Sequence, residues 1–312
     1  MRPSTWAALA LLAALLLAGV VLEPRAADSC GARLSSSAAA PGAPPPLSAA
    51  VLAAASASAA RCDFATRAEW AVFLHSNPAN DWRPVLDDQV KTIHASPLRE
   101  CGAAARAAAG ARDSSGGSSG RVFYGFQRGT PWPYAADAAF APYNESAATL
   151  GAANSERTTL QPLWEWCASR PSALVAYVHD KGTRTSAAEN PERYLRQWDW
   201  RRLHEYFVLE VPQGCFARLL DDGFDTCGAN LRLDPFVHFS GNFWWARCDY
   251  IAQLEAPAAY RAGDELAPER WIGSLNERAG GRSTQFHECF NSGVVHSFSR
   301  YPRSEYFGKV CA

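Results

Sequence analysis

Between residues 62 and 312 the apolar positions alternate between strand-like runs and stripes at helical spacing. Ala71-Val-Phe-Leu-His75 reads as a short apolar strand, and Val122-Phe-Tyr-Gly-Phe126 as a second. Trp82, Val85, Leu86, Val90 and Ile93 lie at helical spacing behind an Asn-Pro-Ala-Asn-Asp turn that supplies the cap. Leu160, Leu163, Trp164 and Cys167 form the next helical stripe. Ala173-Leu-Val-Ala-Tyr-Val178 is continuously apolar between Pro171 and a charged turn, as a central parallel strand buried on both faces is. Leu195, Trp198, Tyr206 and Phe207 predict a long helix ended by Pro212 and Gly214. Residues 236–246 read as a strand bent at Gly241, residues 249–254 begin a helix, Pro268 opens a short one, and residues 294–298 make a last strand. No internal repeat is apparent. The alternation predicts a single α/β domain, residues 62–312, with a mainly parallel central sheet.

The first 61 residues lie outside that pattern. Residues 6–22 are apolar and uncharged, preceded by Arg2 and followed by Glu23 and Arg25. Such a run reaches the lower limit of a membrane span and is long for a cleaved signal segment. The flanking charges favour a cytoplasmic N-terminus, so residues 1–27 read as an apolar signal-anchor helix, with a signal peptide cleaved near Ala26 or Ala27 as the alternative. Both deliver the remainder to the secretory pathway, either as a single-pass type II protein of the Golgi or ER membrane with a lumenal domain, or as a secreted one. Residues 28–61 are mostly Ala, Ser and Pro and lack the large apolar residues of a core, which predicts a disordered stem.

Nine cysteines agree with an oxidising destination. Cys30 falls in the stem, leaving Cys62, Cys101, Cys167, Cys215, Cys227, Cys248, Cys289 and Cys311 for up to four disulfides whose pairing the sequence leaves open. No Cys or His group has zinc spacing. Asn144-Glu145-Ser146 is a glycosylation sequon, and residues 110–120 are a Ser/Gly-rich surface insertion. The net charge is −1 with dispersed basic residues, which argues against a nucleic-acid polymer as partner.

Candidate chemistry gathers at a few points. The turn His179-Asp180-Lys181-Gly182-Thr183 follows the most apolar strand, and open α/β sheets bind ligands beyond the carboxyl ends of their strands. Asp180 can hold a divalent cation, Lys181 can neutralise a phosphate, and Gly182 lets backbone approach closely; an ordinary solvated turn is the plain alternative. Glu269 stands in the first turn of a helix beside Trp271, either as a general base or as a carboxylate favoured by the helix dipole. His238 and His296 lie in apolar surroundings, where a lone histidine is more often a packed core residue. Asp221, Asp222, Asp225 and Asp234 around Gly223 read as turn chemistry, and Trp132 and Tyr134 line a groove or cover a core. The run His238-Phe-Ser-Gly-Asn-Phe-Trp-Trp-Ala246 allows two readings. It is a buried strand, or Phe243, Trp244 and Trp245 wall a sugar pocket whose polar contacts come from Ser240, Gly241 and Asn242.

Asn80-Asp-Trp-Arg83 with Gln89, Tyr177-Val-His-Asp-Lys-Gly182, Trp200-Arg201 ahead of His204-Glu-Tyr-Phe207, and Asp225-Thr-Cys-Gly-Ala-Asn230 succeed one another along the chain. The aromatic block with Asp249-Tyr-Ile251, then Glu269-Arg-Trp-Ile272, then His296 with Tyr301-Pro302 complete the series. In that order, over roughly residues 68–308, they resemble a family of glycosyltransferase-like proteins of microbes, algae and large viruses. The resemblance implies the Rossmann-like GT-A type of nucleotide-sugar transferase fold. It sets residues 179–182 where that fold carries an Asp-x-Asp motif for metal and diphosphate; here only Asp180 matches in kind, with Lys181 following. It makes residues 240–242 the glycine-containing loop near donor and acceptor, and Glu269 the base of an inverting enzyme. His296 resembles the C-terminal histidine that completes a metal or phosphate site, giving Asp180 and His296 as metal ligands.

The expected function is transfer of a sugar from a nucleotide-diphosphate sugar, UDP- or GDP-linked, to a glycan or glycoprotein acceptor, with Mn²⁺ or Mg²⁺ as the candidate cation. Catalysis falls to Asp180 and Glu269, donor binding to His179, Lys181, Gly182 and His296, and acceptor binding to His238 and residues 240–245. The rival from another class is a carbohydrate-binding protein of the same fold without turnover. A metal-dependent hydrolase using His179, Asp180 and His238 is a third reading.

Overall fold

The computed structural model describes residues 62–77, 82–102, 120–126, 140–142, 155–278, 285–294, 296 and 298–311. The apolar N-terminal segment, the stem with Cys30, Asn80, the insertion at 110–119, Trp132, Tyr134 and the sequon lie outside them. Seven strands form the main sheet: β1 (Trp70–Ser76), β2 (Arg121–Phe126), β3 (Phe140–Pro142), β4 (Leu174–His179), β5 (Thr226–Ala229), β8 (Trp244–Arg247) and β9 (Phe286–Phe290). Their order is β3-β2-β1-β4-β8-β5-β9. All neighbours pair in parallel except β8, which runs antiparallel to both β4 and β5. The remaining strands, β6 (Leu231–Arg232) and β7 (His238–Phe239), make a small antiparallel ribbon. The fold is therefore mixed α/β with a mostly parallel central sheet, compatible with a Rossmann-like arrangement.

Helices cover both faces. They include α1 (Trp82–Ala95), α2 (Arg157–Ala168), α3 (Pro191–Glu205) continuing into one π turn at Tyr206–Glu210, and α4 (Gln213–Leu220). Three short ones follow, α5 (Cys248–Ile251), α6 (Ala267–Trp271) and α7 (Ser274–Arg278). The two-residue period of the strands sorts the core into two layers. Trp70, Val72, Leu74, Ala176, Val178 and Trp245 pack with Leu86, Ile93, Leu203 and Phe216 on one face. Ala71, Phe73, Val175, Tyr177, Trp244 and Ala246 pack with Leu160, Leu163 and Cys167 on the other.

This settles the two readings of the aromatic block. Phe243, Trp244 and Trp245 expose none of their surface, so they do not wall an open pocket. β8 lies between two strands and is covered on both faces. It buries Trp244 opposite Tyr177 on one side and Trp245 opposite Ala176 on the other. Trp245 Nε1 donates to the Val208 carbonyl at 2.8 Å, and its ring meets Trp70 and Phe216 edge-on.

Three sequence expectations are corrected. The strand read at 236–246 is two strands in different sheets, because Gly241 and Asn242 both take positive φ, 106° and 59°, and reverse the chain. The last strand among the described residues is Phe286–Phe290, while His296 and Phe298 lie in turns; β9 is a half-buried edge strand and so lacks the continuous apolar run that marks an interior one. β5 escaped notice because Thr-Cys-Gly-Ala has no large apolar residue. Its Gly228 leaves room for Phe239, whose ring lies 2.8 Å from where a Cβ would stand.

The eight cysteines pair as Cys62–Cys101, Cys167–Cys248, Cys215–Cys227 and Cys289–Cys311, consistent with an oxidising environment. Among the described residues no helix is long and apolar enough to cross a membrane. Trp245→Ala is expected to cost about 3–5 kcal/mol of unfolding free energy in urea titration, as a buried indole does when truncated; a loss below about 1 kcal/mol would remove Trp245 from the core.

Candidate functional site

β1 leads through α1 to β2 on one side of the sheet, and β4 leads through α3 and α4 to β5 on the other. Chain continuations that part in this way leave a crevice between the carboxyl ends of the two strands, where α/β proteins bind their ligands. In this protein that crevice is a cleft of about 770 Å³. His75 and His179 are register partners at its floor, the last inward-facing residues of their strands. The wall is completed by residues 155–157 at the start of α2, the turns after β4, Arg193 and Gln197 of α3, and Leu266, Pro268 and Glu269 around the start of α6.

Asp180 locks the floor. Its Oδ2 accepts from Ser76 Oγ at 3.0 Å and from the Asn77 backbone N–H at 2.5 Å, tying the end of β4 to the end of β1. Burial pushes its carboxyl well above the usual carboxylate range, although those two hydrogen bonds pull the other way. Lys181 Nζ lies 3.4 Å from Glu269 Oε1 and 4.4 Å from the centre of the Trp200 ring, so the ammonium is held by a carboxylate and an aromatic face. Gly182 has φ 101°, and a Cβ there would stand 3.2 Å from Gln197 Cβ. Four basic residues, Arg157, Lys181, Arg184 and Arg193, share the lining with five acidic ones, Glu156, Asp180, Asp264, Glu265 and Glu269. Thr183 and Thr185 are turned inward, and their hydroxyls have no hydrogen-bond partner among the described residues.

Of the residues singled out in the sequence, His179, Asp180, Lys181, Gly182 and Glu269 come together here. His238, residues 240–245 and His296 do not line the cleft. His238 sits in β7, its Nδ1 donating to the Phe236 carbonyl at 2.9 Å with the two rings packed together, so the hydrolase set with His179 and Asp180 is not assembled. Ser240 is half-buried in the reversal. Gly241 stands behind His179 and accepts from its Nε2 at 2.7 Å. Asn242 stands behind Glu156 and donates to it through Nδ2 at 2.6 Å. The expected acceptor residues thus back the cleft instead of facing it. His296 is also a correction: buried, its Nε2 accepts from Asn230 Nδ2 at 3.1 Å and contacts Ser292 Oγ at 3.0 Å. Burial, and next the charge of Arg232, lower its pKa to about 4, so it brings no positive charge to a phosphate at neutral pH.

Glu156 is the principal residue that the sequence reading missed. One of its oxygens, Oε2, accepts from Tyr177 Oη at 3.0 Å and from Asn242, while Oε1 faces His179 Nδ1 at 3.7 Å. Its signal was its place just before the helical stripe at Leu160 and Leu163, since a helix that begins at the ligand end of the sheet offers its first residues to the crevice. Arg184 and Arg193 carried no signal beyond following the β4 turn. Apart from Cys215, Cys227, Cys289 and Cys311, already joined in two disulfides, the described residues hold no group of three or more His, Cys, Asp or Glu placed to bind a metal ion. Asp180 lines the cleft and His296 does not, so these two form no metal site together.

Fold and cleft define this chain as an α/β protein with a polar, mixed-charge cleft at the switch point of its sheet. A family described as a domain of unknown function (DUF8361) matches residues 138–289, a stretch that contains both side walls of the cleft but not β1. No curated protein and no solved structure matches the chain.

The two floor histidines give the site a pH signature. Burial is the main cause that lowers His75 to about 4 and His179 to about 3, with the charge of Lys181 adding to the second. Unfolded imidazole titrates near 6.5, so as pH falls below that value the unfolded chain takes up protons that the folded one refuses. Their stability contribution is whole above pH 6.5 and drains away towards pH 4, by about 2 kcal/mol for each at pH 5. Asp180, with its raised pKa, offsets part of this. The urea midpoint is expected to be lower at pH 5 than at pH 7.5, and the difference to shrink in His75→Gln; a pH-independent midpoint would contradict the burial of neutral imidazoles.

Proposed function

We propose that this protein is a glycosyltransferase of the GT-A type that moves a sugar from a nucleotide-diphosphate sugar to a glycan or glycoprotein acceptor. The observation that carries the reading is the cleft at the β1/β4 switch point, whose lining brings together Lys181, Arg184, Arg193, Thr183, Thr185 and Glu269. A diphosphate needs cations and short donors together, and a sugar hydroxyl needs a carboxylate within reach. The compatibility of the sheet with a Rossmann-like fold and the four disulfides agree with a lumenal transferase.

In this reading the acceptor hydroxyl attacks the anomeric carbon of the donor. The new carbon–oxygen bond forms as the bond to the diphosphate breaks, and Glu269 takes the hydroxyl proton. Negative charge then builds on the departing diphosphate, where Lys181 and the arginines stabilise it. The ion pair with Lys181 holds Glu269 in place at the start of α6. A retaining reaction would not need Glu269 as base. The acceptor wall comes from residues about the cleft mouth, with exposed Leu266 as its apolar element.

The test is incubation of the purified protein with UDP- and GDP-sugars in the presence of Mn²⁺, following nucleotide binding and slow donor hydrolysis. Lys181→Ala should weaken nucleotide binding by about tenfold, the loss of one charge-assisted contact. Glu269→Gln should leave nucleotide affinity nearly unchanged and lower transfer steeply. Glycan binding without any nucleotide binding would replace the transferase with a lectin-like protein, and transfer unaltered in Glu269→Gln would remove that residue from the mechanism.

A further inference from the structure

Four cysteines from separate segments meet between α4 and the β5–β9 edge of the sheet. Cys215 stands in the first turn of α4, Cys227 in β5, Cys289 in β9 and Cys311 in the tail beyond residues 303–305. A bulge brings Cys289 there. Glu288 faces Gly228 and Phe290 faces Ala229, so Cys289 is left out of the pairing with β5 and lies in the core layer of Cys227. Gly214 admits the tail, since a Cβ there would stand 2.2 Å from Cys311 Cβ. The bonds run Cys215–Cys227 and Cys289–Cys311, yet all four sulfurs lie within 4.8 Å of one another. Cys227 Sγ is 3.8 Å from Cys311 Sγ, in contact across the two disulfides. The other two disulfides have no such neighbour among the described residues.

Disulfides in contact need only a thiolate to change partners. The tail disulfide is where one arises, because Cys289 and Cys311 are 5% and 8% exposed while Cys215 and Cys227 expose nothing. Residues 307–310 beside it are exposed. Opening that bond would not release the tail. Tyr206 Oη accepts from the Gly308 N–H at 2.9 Å and donates to the Lys309 carbonyl at 3.1 Å, and Arg303 is paired with Glu210 at 2.6 Å. A freed Cys311 is therefore held opposite Cys227.

We infer that these four cysteines form a thiol–disulfide exchange site for a small thiol, in which Cys311 passes from Cys289 to Cys227. The thiolate attacks Cys289 Sγ. The Cys289–Cys311 bond breaks, its electron pair goes to Cys311, and Cys289 keeps the thiol as a mixed disulfide. The Cys311 thiolate then attacks Cys227 Sγ, forming Cys227–Cys311 and expelling the Cys215 thiolate. Cys215 attacks Cys289 Sγ in turn, forming Cys215–Cys289 and releasing the thiol. No electron is gained or lost, and the thiol acts as a catalyst. The exchange moves the tether of the tail from the edge strand β9 to β5, and that of α4 from β5 to β9. None of the four cysteines lines the cleft, so the exchange is independent of the transferase reading.

The test is non-reducing peptide mapping of the full chain after acid quench and alkylation, every sample carrying Cys30→Ser so that no ninth cysteine takes part. In Cys289→Ser, Cys311 starts as the thiol and nothing need be added. The label is then expected on Cys215 as well as on Cys311, with Cys215 labelled in at least about a tenth of chains, since both pairings lie in one buried cluster. In Cys101→Ser the label should stay on Cys62, which has no second disulfide beside it among the described residues. If Cys289→Ser fails to fold, reduced glutathione added to the chain with all eight cysteines decides. Cys227–Cys311 and Cys215–Cys289 should appear, with total thiol unchanged and the other two disulfides intact. Less Cys215 labelling than that in folded Cys289→Ser, native pairs alone after glutathione, or new partners for Cys62 and Cys167 as well, overturns the exchange site.

Discussion

Two neighbouring parallel strands whose continuations leave in opposite directions cannot cover their own carboxyl ends, and the cleft of this protein follows from that constraint. β1 and β4 are such a pair, in register from Trp70 opposite Leu174 to His75 opposite His179. Where the pairing stops, Asp180 keeps the two ends together through Ser76 and the Asn77 backbone, and the chain then turns away through Lys181, Gly182 and Thr183. Helix starts on either side bring Glu156 and Glu269 to the same opening. The fold thus collects carboxylates, imidazoles and an ammonium from segments far apart in sequence.

The reversed strand β8 connects the core to the site. Trp244 and Trp245 anchor it through opposite faces of the sheet, and the residues just before it reach the back of the cleft. Gly241 holds His179 by its carbonyl, and Asn242 links Trp244 to Glu156. A Cβ at Gly241 would stand 2.8 Å from His204 Nε2, so glycine is what the close packing there admits. The aromatic block therefore holds His179 and Glu156 from behind without lining the cleft itself.

Much of the architecture was legible because burial leaves a simple trace. The apolar run at 173–178 marked the central strand, and the stripes at 82–93 and 160–167 marked α1 and α2. The turn at 179–182 and Glu269 were legible as neighbours lining one cleft because a charged turn after a buried strand and a carboxylate at a helix start have a predictable place in the fold. What failed did so for physical reasons. Three adjacent aromatics look alike in a pocket wall and in a doubly covered strand until neighbours on both sides are known. β5 carries too little apolar bulk to announce itself, and the half-buried edge strand β9 alternates weakly. Glu156 depends on contacts with Tyr177, Asn242 and His179, which no local spacing encodes.

The central claim is that an activated sugar is bound where β1 and β4 end. Hydrogen–deuterium exchange of the full chain with and without UDP in Mn²⁺ tests it directly. Slowed exchange at residues 155–157, 179–185, 193–197 and 264–269, with β5 and β9 unchanged, is the expected result. Protection confined to other segments, or none at a UDP concentration that saturates binding, would contradict it.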